Sequence, residues 1–279
     1  MVLARRRSLR QKRANRTPDG SLQRPEVYLD ATCVPKHHAG QFPWSLEAEG
    51  PWGNKPSGKG PRLMIVHAMT AAGWVQGAAW VCEAAKRTGD DHGQMPWENC
   101  STWFADPLLP HLPAPSLIIL DHAPDHTVLG EDAVPTPQRR QEPLCAWLPR
   151  HALPWTPDMV KPARYERCKK FAPAPTLRLD HVAEAAGHSM LRPAQSHPAL
   201  QPIETCWGIV KNPMADHGDF TTRNFHHQWP MALSKVKPST CSKLIATVVE
   251  QEEKYWAEDA QLSEYDVDAI ADEEEWAAD

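Results

Sequence analysis

The chain has 279 residues, enough for one substantial core and an inserted unit. Its 28 prolines, about twice the average frequency, argue against a long helical bundle and for many loops. The net charge of −5 hides a polarity: residues 1–24 hold eight Arg or Lys and one Asp, residues 244–279 hold thirteen acids and one Lys, and the body between is neutral.

In chain order, residues 1–24 read as a basic disordered arm, a solvated segment or one that contacts phosphate or directs nuclear import. The first strand is expected over Pro25–Val34. Two more follow over Pro61–Met69 and Gly73–Val81, turning at Ala71–Gly73 and pairing antiparallel. Asn99–Leu112 reads as a helix with Trp103, Phe104 and Leu108 on one face. Leu117–Leu120 is a continuous apolar run that suits a central, doubly buried strand. The Pro- and Arg-rich stretch 131–177 reads as an insertion, either a surface excursion packed by Trp147 and Trp155 or a flap against DNA. After it, Leu177–Leu179 is expected as a short strand, 182–186 as a helix, and Ile203–Lys211 as a helix on which Trp207 packs. Residues 216–279 read as linker and acidic tail, with a helix around Leu244–Trp256.

Three acids stand out by context: Asp30 closing Val27-Tyr-Leu-Asp30, Asp121 closing Leu117-Ile-Ile-Leu-Asp121, and Glu204 opening its helix. Carboxylate oxygens suit Mg²⁺, which takes only one or two protein carboxylates. Paired ions about 3.5–4 Å apart stabilise the attacking and leaving oxygens of an in-line displacement. A surface-facing acid at a strand end gives the same local pattern. Gly58-Lys-Gly60 lacks the remaining residues of a P-loop, so no nucleotide cofactor is expected. Seven scattered cysteines without a Cys-x-x-Cys pair read as reduced thiols. No apolar run approaches the roughly 20 residues of a membrane span, and no secretory h-region is present.

Many short segments, in order, resemble the catalytic domain of mariner-superfamily DDE transposases and their bacterial insertion-sequence relatives. They are Tyr28-Leu-Asp30-Ala-Thr32 with Lys36-His-His38, Gly58-Lys-Gly60, and Arg62-Leu-Met-Ile-Val-His67-Ala68. Asp91-His92, Met95, Glu98-Asn99 and Trp103-Phe104 come next, then Leu120-Asp121-His-Ala-Pro124-Asp-His126. Pro135-Thr136, Trp147-Leu148, Gly187-His188, Leu191-Arg192, Leu200-Gln-Pro-Ile-Glu204 and Trp207 complete the series. The resemblance implies an α/β, RNase H-like fold: a mixed sheet flanked by helices, with the catalytic domain over 25–215 and an insertion between the second and third acids. It implies Asp30, Asp121 and Glu204 as catalytic and metal-holding residues, Mg²⁺ or Mn²⁺ as cofactor, and transposon-end and target DNA as partners. DNA cleavage and strand transfer, a homodimer and a nuclear location go with it.

The chain departs from the family pattern beside each acid. Ala31 stands where an acid is usual, His122 and Gln201 replace Asn, and Asp125 replaces Tyr. Glu204 follows Asp121 by 83 residues, well beyond the mariner spacing. The N-terminal segment has no room for the paired helix-turn-helix modules of a complete transposase, and these are expected to be lost or to lie outside this sequence. These departures keep a second expectation open, a catalytically impaired DNA-binding or interaction protein that retains the fold.

Overall fold

The computed structural model describes residues 2–35, 62–83, 97–113, 115–123, 126–130, 132–135, 141–172, 176–195, 197–215 and 222–261. The Lys36–His38, Gly58–Gly60 and Asp91–Met95 motifs lie outside these residues, as do Pro124, Asp125, Thr136 and the acidic end 262–279.

Among the described residues, six strands form one mixed sheet: β1 (Glu26–Pro35), β2 (Arg62–Thr70), β3 (Gly73–Trp74), β4 (Trp80–Glu83), β5 (Leu117–Ile119) and β6 (Ser189–Leu191). The order is β3-β2-β1-β5-β6, with β4 also on β2. β1, β2, β3 and β4 pair antiparallel, whereas β1, β5 and β6 run parallel. β1 is therefore the hinge between the two halves of the sheet. It is long, Val- and Leu-bearing and covered on both faces, so its alternate residues serve two cores.

One core holds Tyr28, Val34, Ile65, Met69 and Ile119 against helices α6 (Pro202–Ala215), α7 (Thr222–Leu233) and α8 (Pro238–Glu258). The other holds Val27, Leu29, Met64, Val66 and Ile118 against α2 (Trp97–Trp103), the turns that follow it, and α5 (Arg178–Ala185). A separate small core joins α3 (Gln141–Arg150) to α4 (Lys161–Phe171) through Leu144, Trp147, Leu148 and Cys168. This helical hairpin is the form the segment between the second and third acids takes.

Several expectations are corrected. Residues 2–14 are not a disordered arm but helix α1 (Val2–Ala14), packed on α8. Opposite charges hold the pair: Arg5 meets Asp259 at 2.6 Å, and Lys12 and Arg13 meet Glu252 and Glu253. The buried Lys12 ammonium also donates to the Tyr28 hydroxyl at 2.9 Å. Residues 5–13 and 252–259, distant in sequence, are partners in space. Likewise α7 and α8 are not a linker and tail, because Phe225, Trp229, Val236 and Cys241 complete the α6-side core.

Gly73–Val81 is two strands, not one. Gly77 sits at φ 81°, and a Cβ there would lie 2.7 Å from the His111 ring, so the chain turns where a continuous strand was expected. The helix expected over Asn99–Leu112 changes character at Phe104–Leu108, where Leu109 N–H bonds Phe104 O in a π-turn. Pro107 lacks an N–H and its ring displaces the preceding turn, which explains the widening. Leu177–Leu179 is not a strand. Leu177 makes a single bridge to Leu129, and α5 begins at Arg178.

Candidate metal and phosphoryl-transfer site

The site starts from strand pleat. Tyr28 and Val34 of β1 face the α6-side core, so Asp30, in phase with them, faces the same way. Leu117 and Ile119 of β5 face that side too, and Asp121 is in phase with them. Glu26, Val27 and Tyr28 pair with Leu117, Ile118 and Ile119. Two residues further along this register stand Asp30 and Asp121. Asp121 lies two residues past the end of β5, and its charge acts on Asp30, so both carboxylates lie near the same end of the sheet.

Helix α6 covers that face and is fixed to β1 by two hydrogen bonds. The Trp207 indole N–H donates to Asp30 Oδ2 at 2.8 Å, and Lys211 Nζ donates to Thr32 Oγ1 at 2.8 Å. Glu204 lies one turn before Trp207 and is solvent-exposed. Beneath Asp30, its cross-strand partner His67 stacks on Trp74 at 4.7 Å, and Trp74 meets Trp207 at 5.2 Å. This aromatic floor closes the sheet side of Asp30, while Asp121 and Glu204 stay open to solvent. Burial, reinforced by the charges of Glu204 and Asp121, pushes the Asp30 carboxyl up to about 8, against the pull of the Trp207 bond. Burial alone drives His67 down to about 4, so it is neutral at pH 7.

Asp121 is held differently. Burial raises its carboxyl, but the His126 ring, at 2.7 Å from Oδ1, and the Ala123 N–H more than offset that, and the net direction is down. His126 is itself fixed: Arg192 Nη2 donates to its carbonyl at 3.1 Å while the same guanidinium forks onto Asp180 at 2.8 and 3.0 Å. Burial and the Arg192 charge lower the His122 pKa, with Asp121 opposing. A neutral His122 does not compete with a cation at Asp121. Gln201, before Pro-Ile-Glu204, is buried, and its Oε1 has no partner among the described residues.

Sequence reasoning marked Trp207 for packing and missed its bond to Asp30. It also missed the Asp180–Arg192–His126 chain, because partners 12 and 66 residues apart leave no local pattern. The indole N–H is the one signal available, since a buried Trp needs an acceptor.

No family model matches the chain, and no curated protein matches it. Solved structures do. Over 94% of this chain, the Mos1 mariner paired-end complex with Mg superposes with a TM-score of 0.60 at 12% identity, covering 63% of that chain. The Mos1 strand transfer complex gives 0.59 at 12% identity, covering 62% of that chain. The fold is that of a mariner transposase catalytic domain. It is accordingly RNase H-like. The Mos1 transposase catalytic domain solved with raltegravir and Mg agrees more loosely, with a TM-score of 0.50 at 11% identity over 94% of this chain and 96% of that one. This chain spans less than two thirds of the transposase chains in the first two assemblies.

The donor chemistry suits a hard divalent cation. Asp121 keeps Oδ2 clear of the bonds described above, and the charges of Glu204 and Asp121 acting on Asp30 ask for positive charge. The fit is to a pair of carboxylates with Glu204 on the facing helix. Among the described residues, no three His, Cys, Asp or Glu side chains gather closely enough to enclose an ion on their own. None of the described helices is long and apolar enough to cross a membrane.

Proposed function

We propose that the chain is a transposase-derived DNA endonuclease and strand transferase dependent on Mg²⁺ or Mn²⁺. The observation that carries the reading is the phase and register of Asp30 and Asp121 on the face covered by α6. Asp30 and Asp121 would hold the cation, with Glu204 supplying a further oxygen from the helix. Such an ion polarises a phosphoryl oxygen and lowers the pKa of bound water. The protein contributes orientation: Trp207 fixes one oxygen of Asp30, His126 fixes one of Asp121, and the aromatic floor backs the site on the sheet side. Asp30 must release its proton for the site to assemble. The substrate would be a DNA phosphodiester, cut at a transposon end and joined to target through the freed 3′-hydroxyl. Pairing two ends calls for two copies of the chain, and a nuclear location follows from the substrate.

A second reading, a non-catalytic DNA-binding or interaction protein on the same scaffold, draws on the open spacing of the acids and on Ala31, His122 and Gln201. Calorimetric titration of Mn²⁺ into the parent chain and Asp121→Asn, beside a duplex-cleavage assay, separates the two. The enzyme reading expects binding and cutting by the parent, both lost in the variant. Equal cutting by the two chains sinks it, and an uncleaved duplex puts the scaffold reading in front.

A further inference from the structure

The insertion hairpin concentrates positive charge on one helix. Helix α4 bears Lys161, Arg164, Arg167, Lys169 and Lys170 against one acid, Glu166. Arg164 is structural: it is buried, donates to Pro157 O at 2.8 Å and to Cys145 Sγ at 3.1 Å, and lies over Trp155. Of the others, Lys170 is exposed and Lys161, Arg167 and Lys169 are half-buried. Arg167 donates to Pro154 O, Lys170 lies near the Phe171 ring, and neither these nor Lys161 has a carboxylate partner among the described residues. A helix that concentrates like charge repels itself unless counter-charge arrives from elsewhere. In α1 that counter-charge comes from Glu252 and Glu253 of α8 and from its C-cap Asp259. Lys161, Arg167 and Lys170 make no such ion pair among the described residues.

Placement gives this surface a direction. The hairpin leaves and rejoins the body through a narrow neck, with Gly130 N–H on Thr176 O at 2.7 Å and Arg178 N–H on Val128 O at 2.9 Å. Val128 follows Asp121 by seven residues, so the neck rises from the edge of the sheet where β5 delivers its carboxylate. Arg192 locks the root of the neck, binding Asp180 of α5 and the His126 carbonyl together. The hairpin's own core of Leu144, Trp147, Leu148 and Cys168 holds α4 as a preformed surface.

We propose that α4 is a second docking surface for the DNA phosphate backbone, engaging the duplex beyond the carboxylate site through Lys161, Arg167 and Lys170. This rests on the reading of the chain as a DNA-processing protein. Cations on long stems suit phosphates rather than base edges, so the surface would position DNA without reading its sequence.

The test is fluorescence anisotropy of a mixed-sequence duplex across a salt series. It compares the parent with K161Q/R167Q/K170Q, with K161Q/K170Q in case loss of the Pro154 bond disturbs the hairpin, and with K235Q/K237Q/K243Q as an equal charge change elsewhere. Each phosphate contact contributes about 0.9 to the salt slope. The hairpin triple variant should lose about 2–3 from that slope and bind tenfold or more weakly, the double variant should lose about 2, and the control should stay near the parent. Parental affinity and slope in both hairpin variants, with the parent still binding, overturn the inference alone. Loss of binding to a polyglutamate peptide but not to duplex overturns it in favour of an acidic protein partner. A parent chain that binds no duplex at low salt overturns the DNA reading and this inference with it.

Discussion

The indole N–H of Trp207 reaches Asp30 Oδ2 at 2.8 Å, so the helix that carries Glu204 is pinned to the strand that carries the first aspartate. Trp207→Phe removes this donor and keeps an aromatic ring beside Trp74. Divalent-cation affinity should fall roughly ten- to hundredfold, the usual cost of losing a group that orients a ligand. Stability should fall by only about 1–3 kcal/mol. Titration calorimetry and chemical denaturation on the same samples measure both, and unchanged cation affinity would show that the bond is only a packing device.

The raised Asp30 carboxyl makes a pH prediction with a definite sign. Its ordinary value is 3.8 and its folded value is about 8, so between these the native chain keeps a proton that the unfolded chain has lost. Its contribution to stability is therefore fully present below about pH 4 and is lost as the pH rises through about 8. Asp30→Asn keeps an acceptor for Trp207 and cannot ionise. In metal-free buffer at pH 8 it should melt about 5 °C or more above the parent, narrowing towards equality near pH 4, given about 1.4 kcal/mol per pK unit and a few degrees per kcal/mol. A variant that melts below the parent at pH 8 contradicts the buried, repelled carboxyl described for this site.

The same proton opposes cation binding. Mn²⁺ affinity should rise with pH up to about 8 and release protons as it does so, which calorimetry in buffers of different ionisation enthalpy detects. Affinity that is flat from pH 6 to 8 would place the ion away from Asp30.

Where α1 meets α8, Lys12 sits 4% exposed beside Glu252 and near Glu26, with Arg13–Glu253 at the surface. Lys12→Met leaves the buried Glu252 without its paired cation, Glu26 keeping Arg16 at 3.6 Å, and should cost about 3–5 kcal/mol. Arg13→Gln should cost under about 1 kcal/mol. Similar small losses for both would return residues 2–14 to the role of a dispensable arm.

What the sequence disclosed follows physical range. β1, β2 and β5 are dense apolar runs closing on Asp30, His67 and Asp121, and period-two alternation is a local property. α7 also left a trace, Phe225, Trp229 and Ala232 at helical spacing, but Pro230 and the polar flanks masked it. The break at Gly77 depends on the His111 ring, 34 positions away, and the pairing of α1 with α8 joins residues about 240–254 apart. Such contacts are settled by tertiary packing. Around the proposed ligands, the strand holding Asp30 and the helix holding Glu204 were legible and the groups that fix the acids were not, because Trp207, His126 and Arg192 act through hydrogen bonds that impose no local spacing.

The clasp of α1 on α8 also fixes the geometry of the chain ends. Arg5 and Asp259 touch, so both ends of the described chain emerge on one flank. Any module fused ahead of Val2 would project beside one fused after Gln261, and the two would be neighbours regardless of the intervening fold. A short linker joining these ends, with a new opening cut at an exposed loop, should yield a circular permutant that keeps the Asp30–Asp121 register.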